Sequence, residues 1–409
     1  MRWFTRGSAA LLALIATPAL AQELDLGGVW ENTDISTQLA FEPRWFPSDP
    51  AFPDQFDGIQ FSGFIQPEIF WENDDRDAQV ALTPFLRLDA QDDERTHFDM
   101  REAYFRRIID DWEVLVGLNQ VFWGVTESRH LVNIINQIDT LEDTAEEDFL
   151  GQPMVQVGHQ TDIGRFDAFL MPYFRERTFA GPDGRLRGPL PVDTDRAEYE
   201  SDLEELRPDI ALRYAHFIGD FDVGLHYFHG TGREPDFRLS ADGTRLIPRY
   251  VVINQVGADL QYTTDAWLWK FEGLVREGQG DTFAAAVAGF EYTLFQVLES
   301  DADLGFLGEV LYDGRDDDDP SVFPSVLERD VFMGTRLTLN DIQDTAMLFG
   351  VTVDTEDGLG GFRLEAERRF GDSWFVELEA QAFLEDDPDN PASVFDRDSF
   401  VTLRISKYF

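Results

Sequence analysis

The chain ends on residues 398–409, which read DSFVTLRISKYF. Because successive side chains of an extended strand point to opposite faces, this stretch separates into two sets. The apolar set is Val401, Leu403, Ile405 and Phe409. The polar set is Thr402, Arg404 and Ser406. The chain then stops on Tyr408 and Phe409 without a polar tail. The pattern predicts a strand that presents one face to an apolar medium.

Residues 1–21 have the features of a secretory signal peptide. Arg2 and Arg6 precede an apolar run, and Ala19-Leu20-Ala21 forms a small-x-small cleavage site before Gln22. Residues 22–34 are then a short leader. No later segment approaches the ~20 apolar residues that a membrane-spanning helix needs. An exported chain of this kind is either soluble or a closed barrel, since a bilayer leaves unpaired backbone groups without partners.

The composition excludes several classes of protein. The chain has 79 acidic and 33 basic residues, a formal net charge of -46, so a nucleic-acid partner is not expected. With no cysteine, disulfides, thiol nucleophiles and thiolate metal sites are absent. Strong acidity is typical of disordered chains, but 36 Phe, 9 Trp and 10 Tyr argue against disorder. Aromatic residues at this density are typical of strands and membrane interfaces.

The sequence predicts an all-β fold. Alternation and turn residues give eighteen candidate strands, at residues 35–46, 59–71, 78–90, 96–107, 111–122, 153–161, 164–174, 206–217, 220–229, 246–262, 265–277, 282–296, 302–313, 329–339, 343–354, 361–370, 373–385 and 398–409. Pro43 weakens the first strand, which leaves sixteen strands open. Alternation alone does not separate a soluble sandwich from a barrel with apolar side chains facing lipid.

The connections between the strands separate the two folds. Counting back from the last strand, short and long connections alternate through the later half of the chain, as in bacterial barrels with short periplasmic turns and longer outer loops. The outer connection at residues 278–281 is an exception, because it is short. The fold of a soluble sandwich does not require short and long connections to alternate. We therefore predict a transmembrane antiparallel β-barrel of 16–18 strands over residues 35–409.

Two resemblances support this prediction. The strand ending in Tyr408 and Phe409 resembles the closing strand of bacterial outer-membrane β-barrels. Residues 96–155 resemble a poorly characterised proteobacterial porin-like family, through the segments 100–104 (MREAY), 117–124 (GLNQVFWG) and 133–139 (NIINQID). The chain departs from the family pattern at Leu118 and Gln137, where the family often has Arg and Pro. The resemblance implies an outer-membrane channel or exporter and does not identify a substrate.

The long loop at residues 123–152, after the fifth strand, is the predicted constriction. Leu131, Ile134, Ile135 and Ile138 recur at helical spacing, which predicts a short helix. Its apolar face would be buried if the loop folds into the barrel; a helix on the surface is the alternative. The residues expected to narrow the lumen are Arg129, His130, Asn133, Asn136, Asp139 and Glu142.

The polar faces of the strands supply candidate pore-lining residues. They are Arg101, Glu113, Asn119, Lys270, Glu272, Arg336, Glu365, Glu367, Glu377, Glu379 and Arg404. Rings of charge tune ion preference, and the acidic excess favours cations. For any single residue, solvated or mutually paired charge without selectivity is the alternative.

The sequence contains no recognisable catalytic constellation, so we predict no enzymatic activity. His130, His226 and His229 lack a nucleophile setting. The acidic run at residues 313–319 lacks the ligand spacing of a calcium loop and is interpreted as a hydrated loop tip. No cofactor and no metal site are predicted.

The predicted function is passive diffusion of small hydrophilic solutes or ions across the outer membrane of a Gram-negative bacterium. The expected partners are outer-membrane lipid and the solute, and a homotrimer is left open. One alternative is a specific channel for hydrophobic or lipid-like cargo, suggested by the inward positions of Phe332, Phe375 and Phe383. Another is a soluble periplasmic all-β binding protein.

Overall fold

The computed structural model describes residues 31–143, 147–316, 325, 327–355, 358–384 and 391–409. The signal peptide predicted at residues 1–21 and most of the leader lie outside these ranges, as do residues 317–319 of the acidic run at 313–319. Within them the structure consists of strands, turns and short 3-10 helices. None of the described helices is long and apolar enough to cross a membrane.

The described residues contain 21 strands. The first ten are β1 (Thr33–Trp45), β2 (Ile59–Glu72), β3 (Ala78–Asp89), β4 (His97–Ile109), β5 (Trp112–Asn119), β6 (Gln152–Thr161), β7 (Gly164–Met171), β8 (Glu198–Tyr199), β9 (Asp209–Ile218) and β10 (Phe221–Thr231). The others are β11 (Asp236–Leu239), β12 (Leu246–Tyr250), β13 (Val252–Thr263), β14 (Trp267–Gly278), β15 (Gly280–Leu294), β16 (Asp303–Asp313), β17 (Asp330–Thr338), β18 (Ala346–Asp354), β19 (Gly358–Phe370), β20 (Trp374–Phe383) and β21 (Phe400–Tyr408).

The sheet closes on itself. Among the described strands, all but β8, β11 and β12 form one 18-stranded antiparallel sheet in which each strand pairs with the next of the eighteen along the chain. The last strand returns to the first, with Gln38 opposite Tyr408 and Trp45 opposite Val401. Closure satisfies the backbone groups that an open edge would leave unpaired. The predicted all-β barrel is confirmed, with eighteen strands as the upper value expected.

Pro43 does not remove the first strand. It lies opposite Phe61 in the ladder between β1 and β2. The ladder between β1 and β21 is interrupted instead, because its paired positions run from Gln38 to Phe41 and resume at Arg44. A proline has no N–H to donate to the second neighbour, so the closing seam is interrupted at this position.

The two faces of the strands have the polarity of a barrel with a wet interior. On β1, Leu39 and Phe41 are about half exposed on the outside, whereas Glu42 and Arg44 are buried on the inside. On β3, Leu86 and Leu88 are exposed and Arg87 is fully buried. A soluble sandwich would place the apolar set in a core. The apolar outer surface fits the hydrocarbon region of a bilayer.

The connections divide the barrel into two ends. Both termini of the barrel and the turns at residues 73–77, 110–111, 162–163, 219–220, 264–266, 295–302, 339–345 and 371–373 lie at one end, which we call the turn end. The opposite, loop end carries the connections 46–58, 90–96, 120–151, 172–208, 232–251, 314–329 and 384–399. Two connections at the loop end are short, although longer loops are expected there: Gln279 between β14 and β15, and the connection between Asp354 at the end of β18 and Gly358 at the start of β19. The first is the exception that the sequence analysis identified.

One predicted strand divides in two. Residues 246–262 form β12 and β13, separated at Val251. β12 leaves the barrel wall to pair with β11 and, in parallel, with β8. The resulting three-stranded sheet is built from the loop-end connections 172–208 and 232–251. These connections therefore have structure of their own at the loop end.

The helix predicted from Leu131, Ile134, Ile135 and Ile138 does not form. Residues 120–143 and 147–151 adopt turns, bends and one bridge between Ile138 and Phe149. Leu131 packs in one apolar cluster, whereas Ile134 and Ile135 pack in another. An extended crossing of the lumen buries apolar side chains in both directions, and a helix with a single apolar stripe does not.

Candidate functional site

The connection at residues 120–151, which we call the inserted loop, folds into the barrel. Asn136 fastens its base: its Nδ2 donates to the carbonyls of Asn119 at 2.8 Å and Leu150 at 2.9 Å, and its Oδ1 accepts from the backbone N–H of Val121. Asn133 Oδ1 accepts from the backbone N–H of Trp123 and Gly124. These two amides replace secondary structure that the loop lacks.

The first arm of the inserted loop is held by two glutamates of the barrel wall. Glu272 on β14 accepts backbone N–H groups from Val125 at 2.6 Å, Thr126 at 3.0 Å and Val132 at 3.1 Å. Glu309 on β16 accepts those of residues 127 and 128, both at 2.8 Å. N–H groups that would otherwise bond to i−4 carbonyls are bound to wall carboxylates. Of these N–H groups, only that of Val132 lies in the segment predicted as a helix.

The second arm contacts the opposite wall through buried ion pairs. Glu142 binds Arg87 on β3, and Asp139 Oδ2 lies 2.8 Å from Nη2 of Arg101 on β4. Arg87 also reaches Glu42 on β1 at 3.0 Å. The loop therefore crosses the lumen, from β14 and β16 on one side to β1, β3 and β4 on the other.

Apolar packing closes the part of the lumen between the first arm and the wall. Trp123, Val132, Ile134 and Ile135 of the loop pack in one buried cluster with wall residues of β5, β6, β7, β9, β10 and β13, namely Leu115, Met154, Phe169, Met171, Ala211, Phe228 and Ile253. Apolar side chains of the loop and the wall therefore fill this side of the barrel.

The other side keeps contact with solvent and is acidic. The side chains of Arg336 on β17, Glu365 on β19 and Glu377 on β20 are 37, 36 and 31% exposed, and that of Glu147 in the loop is 47% exposed. The side chains of Glu42, Arg87 and Asp139 are completely buried by comparison. We call this accessible side, next to β17–β20, the acidic side.

A cavity of about 500 Å³ lies between the inserted loop and the turn end, against β2, β3 and β4. Glu68, Glu102, Tyr104, Gln120 and Asp148 contribute to its lining. Asp148 keeps exposed surface, and desolvation by the surrounding groups, together with the carboxylates of Asp143 and Glu142, raises its pKa to about 7. Asp148 therefore changes charge near neutral pH at the edge of this cavity.

A second charged cluster joins the first arm to the loop end of the barrel. Glu234 lies 3.0 Å from Arg276, 3.3 Å from Arg315 and 3.7 Å from Arg129. Burial would raise the pKa of Glu234, but these guanidinium groups hold it well below its usual range. Asp313 accepts from both Arg129 and Arg315. The cluster connects the inserted loop to β14 and β16.

The connection at residues 172–208 covers the loop end and braces the inserted loop. Thr178 donates to Asp139 Oδ1 at 2.7 Å, and Arg175 binds Asp99 on β4 at 2.7 Å. Arg185 binds Asp398, which lies just before β21. Sequence patterns did not identify these contacts, because they join residues far apart in the chain.

The predicted pore-lining residues have different surroundings in the structure. All eleven occupy inward-facing positions of their strands. On the acidic side lie Arg336, Glu365, Glu367, Glu377, Glu379 and Arg404; the other five are Arg101, Glu113, Asn119, Lys270 and Glu272. Glu113 pairs with Arg165, and Lys270 lies 3.7 Å from Glu127.

The predicted constriction residues belong to the inserted loop but have different contacts. Arg129, Asp139 and Glu142 make ion pairs with the wall, and His130 Nε2 lies 3.8 Å from Glu147. Asn133 and Asn136 hold the loop backbone, and Asn136 is buried. Of the three inward phenylalanines, Phe332 is packed in an apolar cluster with Leu131, and Phe383 contacts Phe395.

Several central residues were missed in the sequence. Glu42, Arg87 and Arg95 form the core of the ion-pair network on the β1–β4 side, and Glu309 holds the first arm. The alternation of apolar and polar residues along β1 and β3 places Glu42 and Arg87 on the inward-facing set. This pattern could have identified both residues. Arg95 lies in a connection, where no periodicity exists to assign it.

Comparisons with known proteins give a likeness of fold. No family model matches the chain, and no curated protein matches it. Among solved structures, a triple mutant of Rhodopseudomonas blastica porin is 12% identical, with a TM-score of 0.44, covering 92% of this chain and 100% of that one. Pseudomonas putida OprB is 11% identical over 96% of both chains, with a TM-score of 0.45. Vibrio cholerae OmpT, an outer membrane protein solved in a trimer form, is 12% identical, with a TM-score of 0.44 over 92 and 99%. At this level of similarity the comparisons do not indicate a function for this chain.

Proposed function

We propose that this barrel is an outer-membrane channel for passive diffusion of small hydrophilic solutes or ions, with a preference for cations. The observation that carries the proposal is the asymmetry of the lumen. The inserted loop closes one side by apolar packing, and the acidic side retains solvent-accessible charged groups. The inserted loop narrows a water-filled passage on the acidic side but does not fill it.

The outer surface supports placement in a membrane. Outward side chains such as Ile35, Leu39, Phe41 and Val310 are about half exposed in the isolated chain. Trp112, Trp267 and Trp374 each begin a strand at the turn end and are also exposed. Aromatic residues at strand ends are typical of the girdle at a membrane interface. Together with the predicted signal peptide, these features favour the outer membrane of a Gram-negative bacterium.

The charges along the passage support the cation preference. Five carboxylates, Glu147, Glu365, Glu367, Glu377 and Glu379, share this region with the guanidinium groups of Arg336, Arg363 and Arg404. Arg363 is paired with Glu365, and Arg404 with Glu42 and Glu377. An excess of negative charge along a narrow aqueous path concentrates cations and repels anions. The proposal also includes the homotrimer, an assembly that the sequence analysis left open.

Planar-bilayer recording tests the function. The purified chain, refolded in detergent, is expected to give discrete conductance steps. In a salt gradient its reversal potential should have the sign of a cation-preferring pore. A barrel that inserts stably without conductance would overturn the channel, and a reversal potential of opposite sign would overturn the preference. Resistance of the detergent-solubilised barrel to unfolding in an unheated gel confirms that the recorded protein is folded.

A further inference from the structure

Three potential metal ligands meet where the inserted loop contacts β4. His97 is the first residue of β4, and Asp139 and Glu142 belong to the second arm. His97 Nε2 lies 3.6 Å from Asp139 Oδ2 and 3.6 Å from Glu142 Oε1. The three ligand atoms lie within 4.8 Å of one another. In the sequence, His97 is far from Asp139 and Glu142. No metal site was predicted from the sequence for this reason.

The hydrogen bond of the other imidazole nitrogen defines the state of His97. Its Nδ1 lies 3.1 Å from the carbonyl oxygen of Arg95, and a carbonyl can only accept a hydrogen bond. Nδ1 therefore carries the proton. In the neutral ring, the lone pair of Nε2 then points towards two carboxylate oxygens. The lone pair is repelled by these oxygens, which already bind the guanidinium groups of Arg101 and Arg87, and a further cation between the three atoms, either a proton or a metal ion, relieves this repulsion.

The unused hydrogen-bonding capacity points to the same place. His97 Nε2 and Asp139 Oδ2 are buried without a well-aligned hydrogen bond, although Oδ2 is close to the Arg101 guanidinium group. Both carboxylates are also held from other sides: Thr178 donates to Asp139 Oδ1, and Arg87 Nε donates to both oxygens of Glu142, including Oε1. A backbone carbonyl behind the histidine and hydrogen bonds behind the carboxylates are the usual outer contacts of metal ligands.

We propose that His97, Asp139 and Glu142 bind one divalent transition-metal ion of the Zn²⁺ type, which clamps the inserted loop to the barrel wall. One imidazole nitrogen with two carboxylate oxygens is a ligand set that suits zinc, with water completing the shell. Zinc bonds of about 2.0–2.2 Å at tetrahedral angles place ligand atoms about 3.4 Å apart, close to the two distances of 3.6 Å from His97 Nε2. Arg87 and Arg101 remain bound through other lone pairs of the same carboxylates.

Calorimetric titration tests the site. The refolded full-length protein is stripped with a chelator, dialysed and titrated with ZnCl₂ in detergent. One ion per chain is expected to bind, and His97→Gln or Asp139→Asn should weaken binding by about tenfold or more. His159→Gln is the control, because His159 stacks on Trp112 at the turn end and should leave the titration unchanged. The measurement does not depend on conductance, so its failure would be separate from failure of the proposed channel.

A second measurement uses the unaltered protein, in case a variant fails to fold. X-ray absorption at the zinc edge should show one imidazole nitrogen among oxygen ligands. Lack of saturable binding would overturn the proposal, as would a spectrum with oxygen ligands alone. Equal binding by His97→Gln would do the same. A wild-type protein that binds no zinc and carries a doubly protonated His97 would show that a proton occupies the position instead.

Discussion

The guanidinium group of Arg87 on β3 donates from Nε to Glu142 Oε1 in the inserted loop at 2.7 Å, and neither residue is accessible to solvent beyond a few per cent. The same guanidinium group binds Glu42 and Ser62. One arginine therefore joins the closing seam of the barrel to the loop that crosses its interior. Assembly of the wall and placement of the loop are coupled through this side chain.

Replacing Arg87 should destabilise the whole barrel. Arg87→Gln leaves Glu42 and Glu142 buried with one partner fewer each, and breaking a buried ion pair in this way costs about 3–5 kcal/mol. Urea unfolding in detergent, followed by tryptophan fluorescence, measures the loss. The control is Glu198→Gln, which breaks the exposed pair of Arg238 and Glu198 and should cost less than about 1 kcal/mol. Equal effects of the two variants would contradict the role of Arg87.

Removing the Glu272 carboxylate should release the first arm of the inserted loop. Glu272→Ala leaves three buried backbone N–H groups without their acceptor, at about 1–3 kcal/mol each. Trypsin should then cleave after Arg129, which is protected in the wild type by its contacts with Asp313 and Glu234. Glu272→Gln keeps one oxygen acceptor, so its cleavage should be slower than that of Glu272→Ala. Protection of Arg129 in both variants would show that Glu272 does not hold the arm.

Neutralising the acidic side should reduce the cation preference. A unit charge about 6 Å from a passing ion in water contributes about 0.7 kcal/mol, which is roughly a threefold change in local cation concentration. Glu365→Gln combined with Glu379→Gln should therefore lower the cation-to-anion permeability ratio by at least about threefold. Reversal potentials in a salt gradient give the ratio. Asp242→Asn, at an exposed loop position, should leave it unchanged.

The selectivity of the passage should depend on pH through Asp148. Its pKa is raised to about 7, so the side chain is neutral in acid and negative in base. The permeability ratio for cations should rise as the pH is increased from about 6 to about 8, and Asp148→Asn should reduce this rise. A rise of the same size in Asp148→Asn would contradict an effect of Asp148 on the passage.

The strands could be predicted because their signal is local. Every predicted strand corresponds to a barrel strand, and most boundaries agree within a few residues, since alternation along β19, β20 and β21 is a property of neighbouring residues. The alternation of long and short connections along the chain also predicted that the sheet closes into a barrel. Closure itself follows from the lack of hydrogen-bonding partners in lipid.

The interior could not be predicted in the same way. The spacing of Leu131, Ile134, Ile135 and Ile138 fits a helix, but the loop backbone bonds to Glu272 and Glu309, more than a hundred residues away. In the sequence, Glu272 and Glu365 both belong to the inward-facing set of their strands. Their surroundings differ because the backbone of the inserted loop bonds directly to Glu272, whereas the Glu365 side chain stays 36% exposed.

The order of residues in this chain was enough to specify a closed, two-faced sheet, because a strand's facing and its turns depend on neighbours in the chain. Which part of the lumen is dry, which carboxylates face water and where His97 meets Asp139 and Glu142 depended on folding in three dimensions. Those properties arise from contacts between distant segments, and the burial and charge of each group are set by what the inserted loop places beside it.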